Sequence, residues 1–166
     1  TTFYLVSDNS VTPKKVTTLS YKDPSGKPYS STWQPVAGDW NGDGTTEIGV
    51  YDPGAKAFYE AGANSPTASV TTVSLAAVNP GSSWSPVIGD WNGDGKDDAG
   101  LYNPAIAQFF LANDNTASPS TQSIAFGVYL PWTPLAGKWK PAASSVVGAL
   151  SSLAAQDRLA EKLRRT

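Results

Sequence analysis

The chain of 166 residues contains no cysteine, no histidine and no methionine. Without cysteine it has neither disulfides nor thiol chemistry, and pairing says nothing of the redox compartment. Without histidine it lacks the commonest general base and the commonest transition-metal ligand. That excludes Ser-His-Asp triads, zincin-type sites and most hydrolytic machinery, so the chain reads as non-enzymatic. Charge of one sign is scarce as well. Twelve basic and 14 acidic residues leave a net charge of −2, with no basic face for a phosphate backbone or an anionic membrane. No run approaches the roughly 20 apolar residues that a bilayer helix needs, and no basic-then-apolar signal opens the chain, which reads as a mature chain or a fragment.

What is present is 40% hydrophobic and 16% charged, compatible with a packed core in a single domain. Fifteen glycines, 13 prolines and aromatics in short runs indicate brief strands joined by tight turns, an all-β composition.

Internal repetition is the strongest signal. Trp33-Gln-Pro-Val-Ala-Gly-Asp-Trp40 recurs as Trp84-Ser-Pro-Val-Ile-Gly-Asp-Trp91 and as Trp132-Thr-Pro-Leu-Ala-Gly-Lys-Trp139, the equivalent glycines standing 51 and 48 residues apart. The register then holds without gaps: Glu47-Ile-Gly-Val-Tyr-Asp-Pro53 matches Asp98-Ala-Gly-Leu-Tyr-Asn-Pro104, and Ala57-Phe-Tyr-Glu-Ala61 matches Gln108-Phe-Phe-Leu-Ala112. The repeat units run over about 2–56, 57–107 and 108–155, with a degenerate tail at 156–166. Each unit resolves into four short β-type runs. After the first loop these are 47–51, 57–61, 70–75 and 85–89, read together as one small sheet. Four strands per period of about 50 residues predict the blades of a β-propeller; a β-sandwich born of duplication is the alternative.

Between the repeated tryptophans and the next strand lies Gly38-Asp39-Trp40-Asn41-Gly42-Asp43-Gly44-Thr45-Thr46-Glu47, echoed by Gly89-Asp90-Trp91-Asn92-Gly93-Asp94-Gly95-Lys96-Asp97-Asp98. Counting the first Asp as position 1, side-chain oxygens fall at 1, 3, 5 and 9: Asp39, Asn41, Asp43 and Glu47, then Asp90, Asn92, Asp94 and Asp98. A loop coiled about a hard dication supplies ligands from alternate positions, and the backbone carbonyl at position 7, Thr45 or Lys96, adds one more. Calcium, which takes about six to eight oxygens in flexible geometry, suits this better than magnesium, and two calcium ions are expected. The acid at position 9 replaces the position-12 acid of an EF-hand, where this chain has Val50 and Leu101. A plain polar turn is the simpler reading of Asp, Asn and Gly together, and duplication in register argues against it. Seven of the 14 acids lie in the two loops and would repel one another without a cation.

The third copy is an internal control. Lys138, Lys140, Ala142 and Val146 occupy its four ligand positions, so no cation is expected there. Trp139 and Trp132 persist beside the lost ligands. The six tryptophans, with Tyr51, Tyr102, Phe58 and Phe109, are therefore read as packing between sheets rather than as parts of the metal sites.

With GDWNGDG followed by a Gly-Val-Tyr-Asp-Pro strand and then Phe-Tyr, the chain resembles the FG-GAP/VCBS-type repeats of extracellular bacterial and integrin-like β-propellers, over about residues 2–160. The resemblance implies calcium in the Asp39 and Asp90 loops, secretion or surface display, and a role in adhesion, sugar binding or scaffolding.

Phe-Tyr-type strands occur at 2–6, 57–61, 108–112 and 156–160, giving 13 strands with the other three types: three blades and one more strand. Three blades close a ring poorly. Either the chain belongs to a longer propeller or copies combine head-to-tail by strand addition. The segment 151–165 is ambiguous, a strand by register but rich in helix formers, with Glu161 and Arg165 at i,i+4. Three functions stand: a calcium-stabilised extracellular structural or adhesive repeat module; a lectin-like carbohydrate-binding propeller; and an accessory domain of a secreted polysaccharide-degrading enzyme. The expected partners are further copies, other surface proteins or glycans, with no nucleic acid and no membrane span. The acids outside the loops, Glu60 among them, show no pairing across repeats that would suit catalysis.

Overall fold

The structure is a computed structural model, and it describes residues 2–6, 12, 15–20, 22, 25–26, 30–125 and 133–134. The third-copy positions Trp132, Lys138, Trp139, Lys140, Ala142 and Val146, the strand expected at 156–160 and the segment 151–165 lie outside the described residues.

Short runs that each carry β-branched or aromatic residues form the described strands, which pair antiparallel. β1 (Thr2–Val6) pairs with β2 (Val16–Ser20), placing Phe3 opposite Leu19 and Leu5 opposite Thr17. β3 (Gln34–Gly38), β4 (Glu47–Asp52), β5 (Ala57–Ala61) and β6 (Val70–Ser74) follow in sheet order β3-β4-β5-β6. A 3-10 turn at Ala76–Val78 leads to β7 (Ser85–Gly89), β8 (Asp98–Asn103), β9 (Gln108–Ala112) and β10 (Thr121–Ala125), paired in the order β7-β8-β9-β10.

Two four-stranded meanders of the expected type are thus present, but their membership differs from the sequence reading. Residues 85–89 do not complete the sheet of 47–51, 57–61 and 70–75; they head the next one, and 34–38 takes the first place in the earlier sheet. The reason is the acidic loop. It is the turn of a hairpin, which returns β3 onto β4 with Gly38 opposite Glu47 and β7 onto β8 with Gly89 opposite Asp98. A short antiparallel connection favours pairing across the loop over pairing with a strand that follows a longer excursion.

The sheets stack face to face as propeller-like blades. One face of β3–β6 offers Tyr51, Phe58 and Val73 to Trp84, Ala99, Leu101 and Ala112 of the second sheet. The other offers Ile48, Val50 and Ala61 to Leu19, with Phe3 and Leu5 packed alongside. The aromatics behave as expected of core: Tyr51 and Phe58 are fully buried with ring centroids 4.7 Å apart, Tyr102 meets Phe109 at 4.8 Å, Trp84 stacks on Phe110 at 4.8 Å, and Trp33 on Tyr59 at 5.1 Å. Trp40 and Trp84 are buried. Among the described residues no helix is long and apolar enough to cross a membrane.

Candidate metal centre

The two loops fold alike. Gly42 and Gly44 have φ of +79° and +86°, and Gly93 and Gly95 +80° and +90°, left-handed conformations that would strain any residue with a Cβ. These reversals turn the loop's N–H groups inward. Asp39 accepts from the N–H groups of Gly42 (2.8 Å), Asp43 (3.1 Å) and Gly44 (2.9 Å). Asp90 accepts from Gly93 (2.7 Å) and Gly95 (3.1 Å). Asn41 and Asn92 accept from the amides of Asp43 and Asp94, both at 2.8 Å. Asp43 and Asp94 accept in turn from Thr45 (2.7 Å) and Lys96 (2.8 Å). Positions 1, 3 and 5 therefore line the inside of each coil in the same order. The Thr45 backbone N–H, then its hydroxyl and the Asn41 amide, hold the Asp43 carboxyl below its ordinary range.

The position-9 acids stand apart from this network. Glu47 is 2% exposed and Asp98 1% exposed, and Glu47 Oε2 and Asp98 Oδ2 are buried without a hydrogen-bond partner. Burial pushes the Glu47 carboxyl up, the charges of Asp43 and Asp39 adding to it against the Trp40 N–H. Burial, then the charges of Asp94, Asp90, Asp114 and Asp97, pushes Asp98 up to about 7. A buried oxygen with no donor, turned toward like charges, is costly unless a cation neutralises it. The donor sets fit calcium in that respect: two carboxylates and an amide inside each coil, and a buried acid at its exit. Among the described residues no group of three His, Cys, Asp or Glu side chains stands in metal-holding geometry; oxygens of Asp39, Asp43, Asp90 and Asp94 accept from the loop's own N–H groups.

Glycine explains the invariant start of each loop. A Cβ on Gly38 or Gly89 would lie 2.8 Å from the indole of Trp40 or Trp91, which folds back over it. The loops also touch each other. Asp97 in the second accepts from the Asp39 amide at 2.9 Å and donates its own amide to the Asp39 carbonyl at 2.8 Å. A Cβ on Gly42 would come within 3.2 Å of Lys96 Cγ.

Sequence reasoning missed the outer braces. Asn64 takes the Ile48 N–H (3.2 Å) and donates to the Thr46 carbonyl (2.8 Å), pinning the exit of the first loop. Asn115, at the same 51-residue offset as the loops, donates to the Asp97 carbonyl at 2.8 Å. Asn41 and Asn92 reach the carbonyls of Gly62 (3.5 Å) and Asn113 (2.8 Å) on the strand-to-strand turns behind them. The shared offset was the signal that could have revealed Asn64 and Asn115. Sequence reasoning also found no acid pairing with Glu60, whereas the fold brings Glu60 within the electrostatic reach of Asp98.

A family model described as FG-GAP-like repeat matches residues 39–100, from the first residue of the first loop into β8. The span takes in both loops and less than half of the chain, and over it the chain is similar to such repeats. No curated protein and no solved structure matches the chain.

Proposed function

We propose that the chain is a non-catalytic, calcium-stabilised extracellular module of β-propeller-type repeats, structural or adhesive, that assembles head-to-tail with further copies. The observation that carries the calcium reading is the duplicated coil with a buried, unpartnered acid oxygen at each exit, Glu47 Oε2 and Asp98 Oδ2. Asp39, Asn41, Asp43, Thr45 and Glu47 hold one calcium, and Asp90, Asn92, Asp94, Lys96 and Asp98 the other, Thr45 and Lys96 through their carbonyls. Each ion lies where a hairpin leaves for the sheet, so it fixes the strand entry as well as the loop. The similarity to FG-GAP-like repeats supports the repeat-module reading and, with it, a place outside the cell, where calcium is plentiful.

Strand order supports assembly. β1 and β2 match β5 and β6, and β9 and β10, in the repeat register, so the pair corresponds to the outer half of a four-stranded blade. In the assembly we propose, two strands of the type of β3 and β4 complete that blade. A lectin-like reading wants exposed indole faces, and Trp33, Trp40, Trp84 and Trp91 are all buried or half-buried.

The test is thermal unfolding and solution mass in calcium and in chelator. A ligand held at a hundredfold its Kd adds about 2.7 kcal/mol per site, against a total stability of about 5–15 kcal/mol. The expected result is a large calcium-dependent rise in Tm that falls in Asp39→Asn and falls further when Asp90→Asn is added. An unchanged Tm defeats the calcium reading. A monomer at high concentration with calcium present defeats assembly.

A further inference from the structure

Between the two four-stranded sheets lies a cavity of about 360 Å³, bordered by Trp40, Glu60, Asp94, Lys96, Asp98 and Asn115, among others. Four acceptor atoms of its lining are buried and lack any donor: Glu60 Oε1, Glu60 Oε2, Asp98 Oδ2 and Asn115 Oδ1. The only orphaned donor among the bordering residues is the Trp40 indole N–H. Lys96 borders the same space but donates to neither Glu60 oxygen.

Glu60 is the decisive residue. It is 1% exposed, the residue before the last of β5. The cross-strand row Val36, Gly49, Glu60 and Thr71 has the counterpart Val87, Gly100, Leu111 and Gln122 in the second sheet, and Leu5 beside Thr17 in the first hairpin. At the position where the other two repeats place leucine, this one buries a carboxylate. The fold does not need a charge there, and a buried carboxylate without a partner opposes folding. A hard dication answers both facts: it takes carboxylate, amide and water oxygens at about 2.3–2.6 Å, and the cavity leaves room for the waters that would complete its shell.

We propose that Glu60 of the first four-stranded sheet and Asp98 of the second, with the side-chain oxygen of Asn115, hold a divalent cation in this cavity, a bridge between blades separate from the ions inside the two loops. Asp98 serves both the second loop and the bridge, so for one of its carboxylates the bridge rests on the loop reading; Glu60 and Asn115 owe nothing to it. The bridge ties adjacent sheets directly, whereas each loop ion orders a hairpin within its own sheet.

The test is a calorimetric titration of the full chain with calcium alone, for the unaltered protein, Glu60→Leu, Glu60→Gln and Asp39→Asn combined with Asp90→Asn. Leucine is the residue of the equivalent positions, so Glu60→Leu is expected to fold, which circular dichroism checks. The expected result is one calcium fewer in Glu60→Leu, and binding at that site weakened tenfold or more in Glu60→Gln. Equal uptake at equal affinity in the unaltered protein and Glu60→Leu overturns the bridge. The Asp39→Asn, Asp90→Asn pair reads the loops separately. If it changes nothing, the loop reading fails while Glu60-dependent uptake remains; if it abolishes binding while Glu60→Leu binds as many calcium ions, as tightly, as the unaltered protein, only the bridge fails.

Discussion

Asp97 and Asp39 clasp each other across the two acidic loops, the Asp39 amide donating to the Asp97 carboxylate at 2.9 Å and the Asp97 amide returning a bond to the Asp39 carbonyl at 2.8 Å. The contact joins position 1 of one coil to position 8 of the next, so the backbone that presents the first ligand of the first loop is set by the second. Thr46 holds the equivalent place in the first loop.

Asp97→Ala removes the acceptor of a half-buried amide and is expected to cost about 1–2 kcal/mol in urea unfolding. Asp97→Asn keeps an acceptor oxygen and should lose less. Calcium affinity of the first loop should drop in Asp97→Ala although the substituted residue lies in the second. Equal stability of Asp97→Ala and the unaltered protein would show that the clasp contributes nothing.

Gly89→Ala tests the turned-back indole. Its Cβ would meet the six-membered ring of Trp91 at 2.8 Å, and a packed indole yields less readily than the end of a flexible side chain. Overpacking of this kind costs about 1–3 kcal/mol. The accompanying sign is a change in tryptophan fluorescence, since the ring must shift to admit the methyl; an unaltered spectrum and midpoint would mean that the ring gives way freely.

Much of this arrangement was legible in the chain. Loop positions 1, 3 and 5 follow from spacing alone, because the ligand pattern, its glycines and the strand behind it repeat in register, and strand positions follow from local alternation. Strand partnership was not legible in the same way. The run 85–89 looks the same whether it ends one sheet or begins the next, and what decides is that a hairpin closes across its own acidic loop. The braces Asn64 and Asn115 act over 16 to 18 residues, through side chains whose role appears only once the turn after β5 or β9 lies beside the loop. The approach of Glu60 to Asp98 depends on sheet stacking, which no local pattern encodes; the substitution for Leu5 and Leu111 marked it without saying what it faced.

Asn64→Ala removes two hydrogen bonds at the exit of the first loop, one that its side-chain oxygen accepts from the Ile48 N–H and one that its side-chain nitrogen donates to the Thr46 carbonyl. A loss of about 1–2 kcal/mol is expected. Because Asn64 holds the segment that delivers Glu47, the first loop should bind calcium more weakly while the second is unaffected, and stepwise calcium titration separates them. An equal effect on both loops would contradict a local brace.

Acidity gives the last test, in chelator so that no cation intervenes. Burial, with the charge of Asp98 adding to it, pushes the Glu60 carboxyl from its ordinary 4.5 up to about 8. Between these values the folded state binds a proton that the unfolded chain has released, so unfolding becomes easier as the pH rises. The stability associated with a neutral Glu60 is therefore fully present below about 4.5 and is lost progressively up to about 8. Asp98, raised to about 7, contributes a decline of the same sign that ends lower. The Tm of the calcium-free protein should fall from pH 5 to pH 8. In Glu60→Leu the fall should be shallower and should end at lower pH, because what remains comes from Asp98, raised to about 7, and from Glu47, which burial also pushes up. A Tm that rises over this interval, or one that falls with the same slope in both proteins, would mean that Glu60 is not a buried carboxyl without a partner.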